Sequence, residues 1–264
     1  MNIKTQAKTA LRERFTGEPD GKGYTLTPQE NLIQGVQLRQ FEDDLHRGDG
    51  NELRMKFCAV HSSSALAVNC FARFKEHPEY ILLLGQKGAK KLEFEKQLRI
   101  FDGGRAPNID VWIERDWDVV AIESKLLEYL TQKKPKFSES YERLAPPISE
   151  SCWWDVYIQA KQGAEQYLDR AQLVKHYFGL NEYRKKNQQI HITLLYIFWE
   201  PLNWSELEVC KQHREEVKNF ADAVSESQIP FHWITYNDLW KEWSVEQALK
   251  KHTQNLIERY QLCL

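Results

Sequence analysis

Two neighbouring segments in the middle of the chain have the hydrophobic and polar pattern of β-strands. In residues 108–114, aliphatic residues alternate with polar or aromatic ones, so Asp110 faces away from the aliphatic side. Residues 118–125 form an apolar run that ends in charged residues. The three residues 115–117 between them are few enough for a hairpin loop. The pattern therefore predicts two adjacent strands.

The second predicted strand ends in two charged residues, Glu123 and Lys125. They are two positions apart and share one face of the strand. Such charges at the end of an apolar strand are costly unless they pair, bind a metal or reach solvent. If the two strands pair, Asp110 joins them, and three charged groups meet where metal-assisted phosphodiester cleavage needs them. A structural ion pair is the alternative interpretation.

The rest of the chain predicts helices and strands in an α/β order. The predicted helices are 5–15, 31–46, 63–75, 155–179 with Gly179 as its C-cap, 205–225, and a terminal helix from Asn237. The further predicted strands are 92–101, 191–199 and 231–236. The predicted loops include 44–51, 85–91 and the region after residue 130. Residues 1–50 are predicted to be a helical N-terminal extension, and residues 51–264 the main domain.

Asp110, twelve intervening residues and then Glu123-Ser124-Lys125 resemble the motif of the PD-(D/E)XK nuclease superfamily. The literal Pro-Asp pair is absent, because Pro107 precedes Asp110 by three positions. The predicted order of elements over residues 62–240 also resembles this fold, and the segments around the motif resemble bacterial restriction endonucleases. The resemblance implies a restriction-endonuclease-like core with a central mixed β-sheet flanked by helices.

The resemblance also implies a chemistry, the Mg²⁺-dependent hydrolysis of DNA by a restriction-type endonuclease. Asp110 and Glu123 would bind the metal, the backbone carbonyl of Ser124 would be a third ligand, and Lys125 would orient or activate the attacking water. Mg²⁺ prefers oxygen ligands and keeps several waters, and Mn²⁺ would substitute for it. Glu95, on the preceding predicted strand, is a candidate for a second metal site, with a surface glutamate as the alternative.

A second Glu-x-Lys, from Glu216 to Lys218, shows that this short motif is weak evidence by itself. It lies in the charged run 211–218, which is predicted to be the solvated face of a helix. The strand setting and the loop length distinguish the motif that follows Asp110.

Six lysines in two predicted loops are candidates for contact with DNA phosphates: Lys87, Lys90, Lys91, Lys133, Lys134 and Lys136. The alternative for the later loop is a solvated segment without a role. Glu128, Ser138 and Tyr141 are also near the motif in sequence, but the sequence gives no geometric reason to include them.

The composition is that of an ordinary globular protein and limits the function only mildly. The chain has 264 residues, 42% of them hydrophobic, with nine Trp, which is enough for a large core. The net charge of −2 argues against tight nonspecific DNA binding, but metal-binding carboxylates contribute to it. Five widely spaced cysteines without a Cys-x-x-Cys pair predict neither a disulfide framework nor a zinc site.

Partners and location follow from these observations. No apolar run approaches the roughly 20 residues of a membrane span, and the N-terminus lacks a signal-peptide core, so we expect a cytoplasmic protein without a membrane partner. An enzyme that cuts both DNA strands is expected to form a homodimer. The alternative function is a catalytically silent DNA-binding or assembly module on the same fold.

Overall fold

Five strands form one mixed sheet, in which their order in space is their order along the chain. The first three strands pair antiparallel, and the last three pair parallel. The strands are β1 (Lys91–Gln97), β2 (Asn108–Glu114), β3 (Asp118–Lys125), β4 (His191–Phe198) and β5 (Phe231–Thr235). Parallel pairs require crossover connections, so long helical segments precede β4 and β5.

Helices cover the sheet. The protein is described by a computed structural model for residues 2–47, 56–101, 106–187 and 190–264. Within these residues the α-helices are α1 (Ile3–Glu13), α2 (Glu42–Arg47), α3 (Ser63–Phe71), α4 (Ser151–Gln162), α5 (Arg170–Lys186), α6 (Glu208–Ala223), α7 (Tyr236–Ser244) and α8 (Lys250–Tyr260). None of these helices is both long and apolar enough to cross a lipid bilayer.

The helices lie on both faces of the sheet. Glu123 of β3 contacts His176 of α5, whereas the next residue, Ser124, contacts Tyr236 of α7. Successive residues of a strand point to opposite faces, so α5 and α7 cover opposite faces. α4 packs on α5 and α6, and α8 packs on α7. The predicted α/β class, with a central mixed sheet flanked by helices, is confirmed.

The two strands of the motif begin and end where the alternation predicts, at 108–114 and 118–125. By contrast, β1 ends at Gln97, before the predicted end at residue 101. The predicted domain boundary between residues 50 and 51, and part of the predicted loop 44–51, fall in 48–55, outside the described residues.

The prediction of one helix over 155–179 is wrong, because the chain leaves the helical path between α4 and α5. There Gln166 exchanges two backbone hydrogen bonds with Lys133, at 2.7 and 3.1 Å. The N–H of Leu168 donates to the Glu216 carboxylate at 2.7 Å. These partners replace the hydrogen bonds that a continuous helix would make.

Gly179 is inside α5, so its predicted role as a C-cap is also wrong. A Cβ at this position would be 2.6 Å from Cβ of Leu98, closer than real Cβ contacts come. The glycine therefore allows α5 to approach the residue that follows β1.

Two further helix predictions are wrong, because each predicted helix is interrupted in the structure. Residues 31–46 are not one helix, because only 3₁₀ turns precede α2 and Gly35 between them has a φ of 92°, which favours glycine. The terminal helix predicted from Asn237 is divided into α7 and α8, with a break after Ser244.

Two buried histidines have a lowered pKa. His213 of α6 is 0% exposed, lies 3.0 Å from the hydroxyl of Tyr196 and stacks on Tyr129. Burial lowers the pKa of His213 to about 3 and that of His252 to about 4. An unfolded histidine titrates near pH 6.5. The stability that these neutral side chains contribute is therefore complete above about pH 6.5 and is lost as the pH falls towards their folded pKa.

We expect the melting temperature to fall when the pH is lowered from 7 to 5, and His213→Gln to make this fall smaller. At pH 5 a histidine that stays neutral in the folded state lowers the free energy of unfolding by about 2 kcal/mol relative to pH 7, because the unfolded chain binds the proton. Circular dichroism melting between pH 5 and 7 would measure this dependence. His232→Gln, at an exposed position on β5, is the matched control. Equal pH dependence in both variants would contradict the prediction.

Candidate active site

Three acidic residues lie side by side on three adjacent strands. In the pairing of β1 with β2, Phe94 is opposite Val111 and Lys96 is opposite Ile109, so Glu95 lies opposite Asp110. The register of β2 on β3, continued by one residue, places Asp110 opposite Glu123. Opposite residues on paired strands share a face of the sheet. Glu95, Asp110 and Glu123 are named here the acidic row.

Glu123 is fully buried and is held by two neighbours. Its Oε1 forms an ion pair with Nζ of Lys125 but accepts no hydrogen bond of normal geometry from the described residues. Its Oε2 accepts a hydrogen bond from Nε2 of His176 at 2.6 Å. Burial alone would raise the pKa of Glu123, but Lys125 and His176 outweigh it and lower the pKa to about 2. Glu123 is therefore ionised at neutral pH.

Asp110 has the opposite electrostatic character. Its Oδ2 accepts a hydrogen bond from the backbone N–H of Ser124 at 2.7 Å. Burial and the negative charge of Glu123 raise the pKa of Asp110 well above its usual value, and Glu95 adds to the increase. Lys125 opposes this change without cancelling it. Asp110 therefore holds a proton more readily than a free aspartate does, because a second negative charge beside Glu123 is unfavourable.

Lys125 completes the group on the same face of β3 as Glu123. Burial would lower the pKa of its ammonium group, but Glu123, Asp110 and Glu128 reverse this effect and raise it. Lys125 is therefore a cation between these carboxylates. The motif residues predicted from the sequence are brought together.

Ser124 fixes the backbone between Glu123 and Lys125. Its N–H donates to Asp110, and its hydroxyl lies 2.7 Å from the hydroxyl of Tyr236 on the other face. The role of its carbonyl as a metal ligand stays a prediction.

Two residues of the acidic row, Glu95 and Asp110, line a cleft of about 890 Å³. Lys125, His176 and the residues at the start of α3 line the same cleft, whereas Glu123 is fully buried beside it. Glu95 has a φ of 51°, in the left-handed region, which interrupts the regular pairing of β1 with β2 beside Asp110. Glu95, the residue predicted for a second metal site, lies beside the other acids and accepts a hydrogen bond from the side chain of Asn108 at 3.1 Å.

Three residues that the sequence gave no reason to include also line the cleft: Glu128, Ser138 and Tyr141. Glu128 accepts a hydrogen bond from the N–H of Leu126 at 2.8 Å. Burial tends to raise its pKa, but Lys125 and hydrogen bonds outweigh burial and lower it. Glu128 is therefore a further carboxylate close to Lys125.

Sequence reasoning missed His176. This histidine is 1% exposed on α5, and its Nδ1 has no hydrogen-bond partner among the described residues. The sequence contained one indication of its role: His176 is an ionisable residue close to Val174 and Tyr177, on a helix whose apolar residues predict burial. The signal could not identify Glu123 as its partner, because the two are 53 residues apart.

The six predicted phosphate-contacting lysines fall into two groups. The first three lie at the end of the sheet opposite the acidic row, where β1 begins, and form ion pairs: Lys87 with Glu246, Lys90 with Asp116 and Lys91 with Glu93. In the second group, Lys133 lies 3.2 Å from Asp169, which lines the cleft, and Lys134 and Lys136 are exposed. Contact with nucleic acid stays a prediction for all six.

The donor set fits a hard divalent cation in its chemistry. Asp110, Glu123 and a backbone carbonyl are oxygen donors, the kind that Mg²⁺ prefers. The raised pKa of Asp110 indicates that a cation would be favourable beside the two carboxylates, and Lys125 already supplies one positive charge to Oε1 of Glu123. As the side chains stand, no group of three or more His, Cys, Asp or Glu residues in the described ranges could hold a metal ion. A site of two carboxylates and a carbonyl does not require such a group.

Comparison with known proteins gave one result. A family model described as Restriction Endonuclease associating with ARP matches residues 3–261, which is nearly the whole chain. Neither the curated proteins nor the solved structures gave a match.

Proposed function

The chain belongs to the family described as Restriction Endonuclease associating with ARP, and from this premise we propose that it cleaves DNA phosphodiester bonds in a Mg²⁺-dependent reaction. The family is restriction-endonuclease-like, as the motif predicted, and the five-stranded mixed sheet flanked by helices is consistent with that core. The nuclease activity, its metal dependence and the roles of individual residues are our proposal.

The observation that carries the proposal is the acidic row beside Lys125, of which Glu95, Asp110 and Lys125 line a cleft. Adjacent carboxylates repel one another, and the raised pKa of Asp110 records that repulsion. Residues that only stabilise the fold would be expected to avoid this cost. The repulsion between these carboxylates is explained if the row binds a cation together with an anionic substrate.

Each residue of the site has a role in this proposal. Asp110 and Glu123 would hold the metal, with the carbonyl of Ser124 as a third ligand. When bound, a hard divalent cation supplies a Lewis acid for the scissile phosphate and lowers the pKa of a bound water. Lys125 would orient the attacking water, and His176 would hold Glu123 in position through the 2.6 Å hydrogen bond. Glu95 would contribute to a second metal site.

A cytoplasmic location and a homodimer that cuts both strands belong to this proposal. Mn²⁺ would replace Mg²⁺, because both accept oxygen ligands.

The test is cleavage of supercoiled plasmid and of linear DNA by the purified protein. We expect cleavage with Mg²⁺ or Mn²⁺ and none with EDTA. Discrete bands would indicate a sequence-specific endonuclease, and a smear would indicate a nonspecific one. Failure of a folded, pure protein to cleave with either metal would contradict the proposal and favour the catalytically silent module.

A further inference from the structure

Two aromatic side chains lie next to each other in the wall of the active-site cleft. Tyr24 and His61 both line the cleft, and their rings meet edge to face, with centroids 6.3 Å apart and ring planes at 77°. Tyr24 is 39% exposed, whereas Tyr141, another tyrosine of the cleft, is buried. Tyr24 and His61 are named here the aromatic wall. A molecule that enters the cleft can therefore reach the Tyr24 ring.

The backbone holds Tyr24 in a fixed position. Its N–H donates a hydrogen bond to the Asp20 carboxylate, and its carbonyl accepts one from the N–H of Asp20, both at 2.8 Å. Tyr24 also forms a β-bridge with Ala59, and beside it the N–H of Val60 donates to the carbonyl of Gly23 at 2.9 Å. Little backbone freedom is lost when a ligand binds to a side chain held in this way. The N-terminal segment therefore presents a preorganised aromatic surface to the cleft.

The aromatic wall and Lys125 of the motif belong to one cleft. His61 directly precedes Ser62, the N-cap of α3, and the side chain of Ser63 forms a hydrogen bond with Glu128. Glu128 in turn interacts with the charge of Lys125. The volume of the cleft, about 890 Å³, is within the range of ligand-binding clefts, about 300–1,000 Å³. The cleft therefore has room for a base at the aromatic wall and a phosphate near Lys125.

We propose that the aromatic wall stacks on an unpaired nucleobase of the DNA in the cleft. The substrate class of the site is then DNA in which at least one base near the scissile phosphate lies outside the duplex stack. Inside a regular duplex both faces of a base are covered by its neighbours, so a side chain stacks only on a base that is single-stranded or flipped out. Every base has a π-face, so this contact holds a base without reading the sequence. The inference rests on the proposed nuclease function, which puts DNA in the cleft.

The binding experiment compares Tyr24→Ala with Tyr80→Ala. Each variant loses one partly exposed tyrosine ring, but Tyr80 is not one of the described residues that line the cleft. The ligands are two labelled strands of about 12 nucleotides, oligothymidylate and a strand with the same phosphates whose sugars carry no base. Fluorescence anisotropy measures both affinities in EDTA and in Ca²⁺, a hard cation that also takes oxygen ligands. Melting temperatures verify folding.

We expect Tyr24→Ala to bind oligothymidylate about 5- to 100-fold more weakly than the wild type, since stacking on one base contributes on this scale. Its affinity for the strand without bases should stay within about twofold of the wild-type value. Tyr24→Phe, which keeps the ring, and Tyr80→Ala should bind both strands as the wild type does. The inference would be overturned by unchanged binding of oligothymidylate in Tyr24→Ala, by an equal loss on both strands, or by no wild-type binding of oligothymidylate.

Cleavage tests the substrate class separately. In Mg²⁺ the wild type should cleave a single strand at least about fivefold faster than a duplex of the same sequence, because the duplex must first unpair a base. Equal or slower cleavage of the single strand would overturn the inference and leave the proposed nuclease activity in place. A base-dependent loss of binding in Tyr24→Ala without any wild-type cleavage would overturn the nuclease activity and leave the aromatic wall as a DNA-binding feature.

Discussion

Asp110→Asn is expected to reduce Mg²⁺-dependent DNA cleavage by about 10³-fold or more while leaving thermal stability equal to or above that of the wild type. A metal ligand supports several kcal/mol of transition-state stabilisation, and each 1.36 kcal/mol is a factor of ten in rate. Asparagine keeps an oxygen but loses the negative charge that a divalent cation requires for tight binding.

The stability effect follows from the same charge. The pKa of Asp110 is raised in the folded protein by burial and by Glu123. A carboxyl group with a raised folded pKa opposes folding once the pH is above its unfolded pKa, because the unfolded chain ionises more readily. Removal of the charge at pH 7 relieves this cost. The amide oxygen of asparagine still accepts the hydrogen bond from the N–H of Ser124 that Asp110 accepts at 2.7 Å.

The measurement is the initial rate of plasmid nicking, with melting temperatures recorded on the same samples with and without Mn²⁺. We expect Mn²⁺ to stabilise the wild type and not Asp110→Asn, because a ligand that binds only the folded state raises its stability. Asp118→Asn is the control, since Asp118 is at the other end of the paired strands and binds Arg115 at 2.7 Å. Cleavage by Asp110→Asn at the wild-type rate would remove Asp110 from the site.

The strands of the motif were predictable because their information is local. The alternation over 108–114 and the apolar run over 118–125 specify which face each residue takes, and the three-residue loop specifies that they pair. Register then brings Asp110 beside Glu123. The alternation did not specify the position of Glu95, because its place in the row depends on an irregular backbone at that residue.

The failures involve partners that are distant in sequence. The break between α4 and α5 depends on Lys133 and Glu216, neither of which is near it in the chain. The hydrogen bond between His176 and Glu123 was missed for the same reason, because the two residues are 53 positions apart. Periodicity describes which face of an element is apolar but does not identify the residue opposite it.

Charge composition had the least predictive value. Lys87 and Lys90 form a basic loop in the sequence, but each has an acidic partner in the folded chain. A phosphate-binding surface depends on which cations the fold leaves unneutralised.

Lys125→Met is expected to have the largest effect on stability, a loss of about 3–5 kcal/mol in the free energy of unfolding. The substitution leaves the carboxylate of Glu123 fully buried with His176 as its remaining close partner. In a chain of this length such a loss lowers the melting temperature by about 10 °C. Loss of cleavage in this variant would therefore combine the removal of the proposed water-orienting group with partial unfolding, and Asp110→Asn is the cleaner test of catalysis.

The pH dependence of the stability loss distinguishes the loss of this ion pair from a simple loss of side-chain packing. Glu123 has a folded pKa of about 2, so its contribution to stability is complete above its usual value of 4.5 and is lost as the pH falls towards 2. Without Lys125, burial would favour the protonated acid, which is less costly at low pH. The difference in melting temperature between wild type and Lys125→Met should therefore shrink between pH 7 and pH 4. Glu123→Gln/Lys125→Met, which removes both charges, should recover part of the loss at pH 7. A constant difference at all pH values, with no recovery in the double variant, would mean that Lys125 stabilises the fold through its hydrocarbon chain and not through its charge.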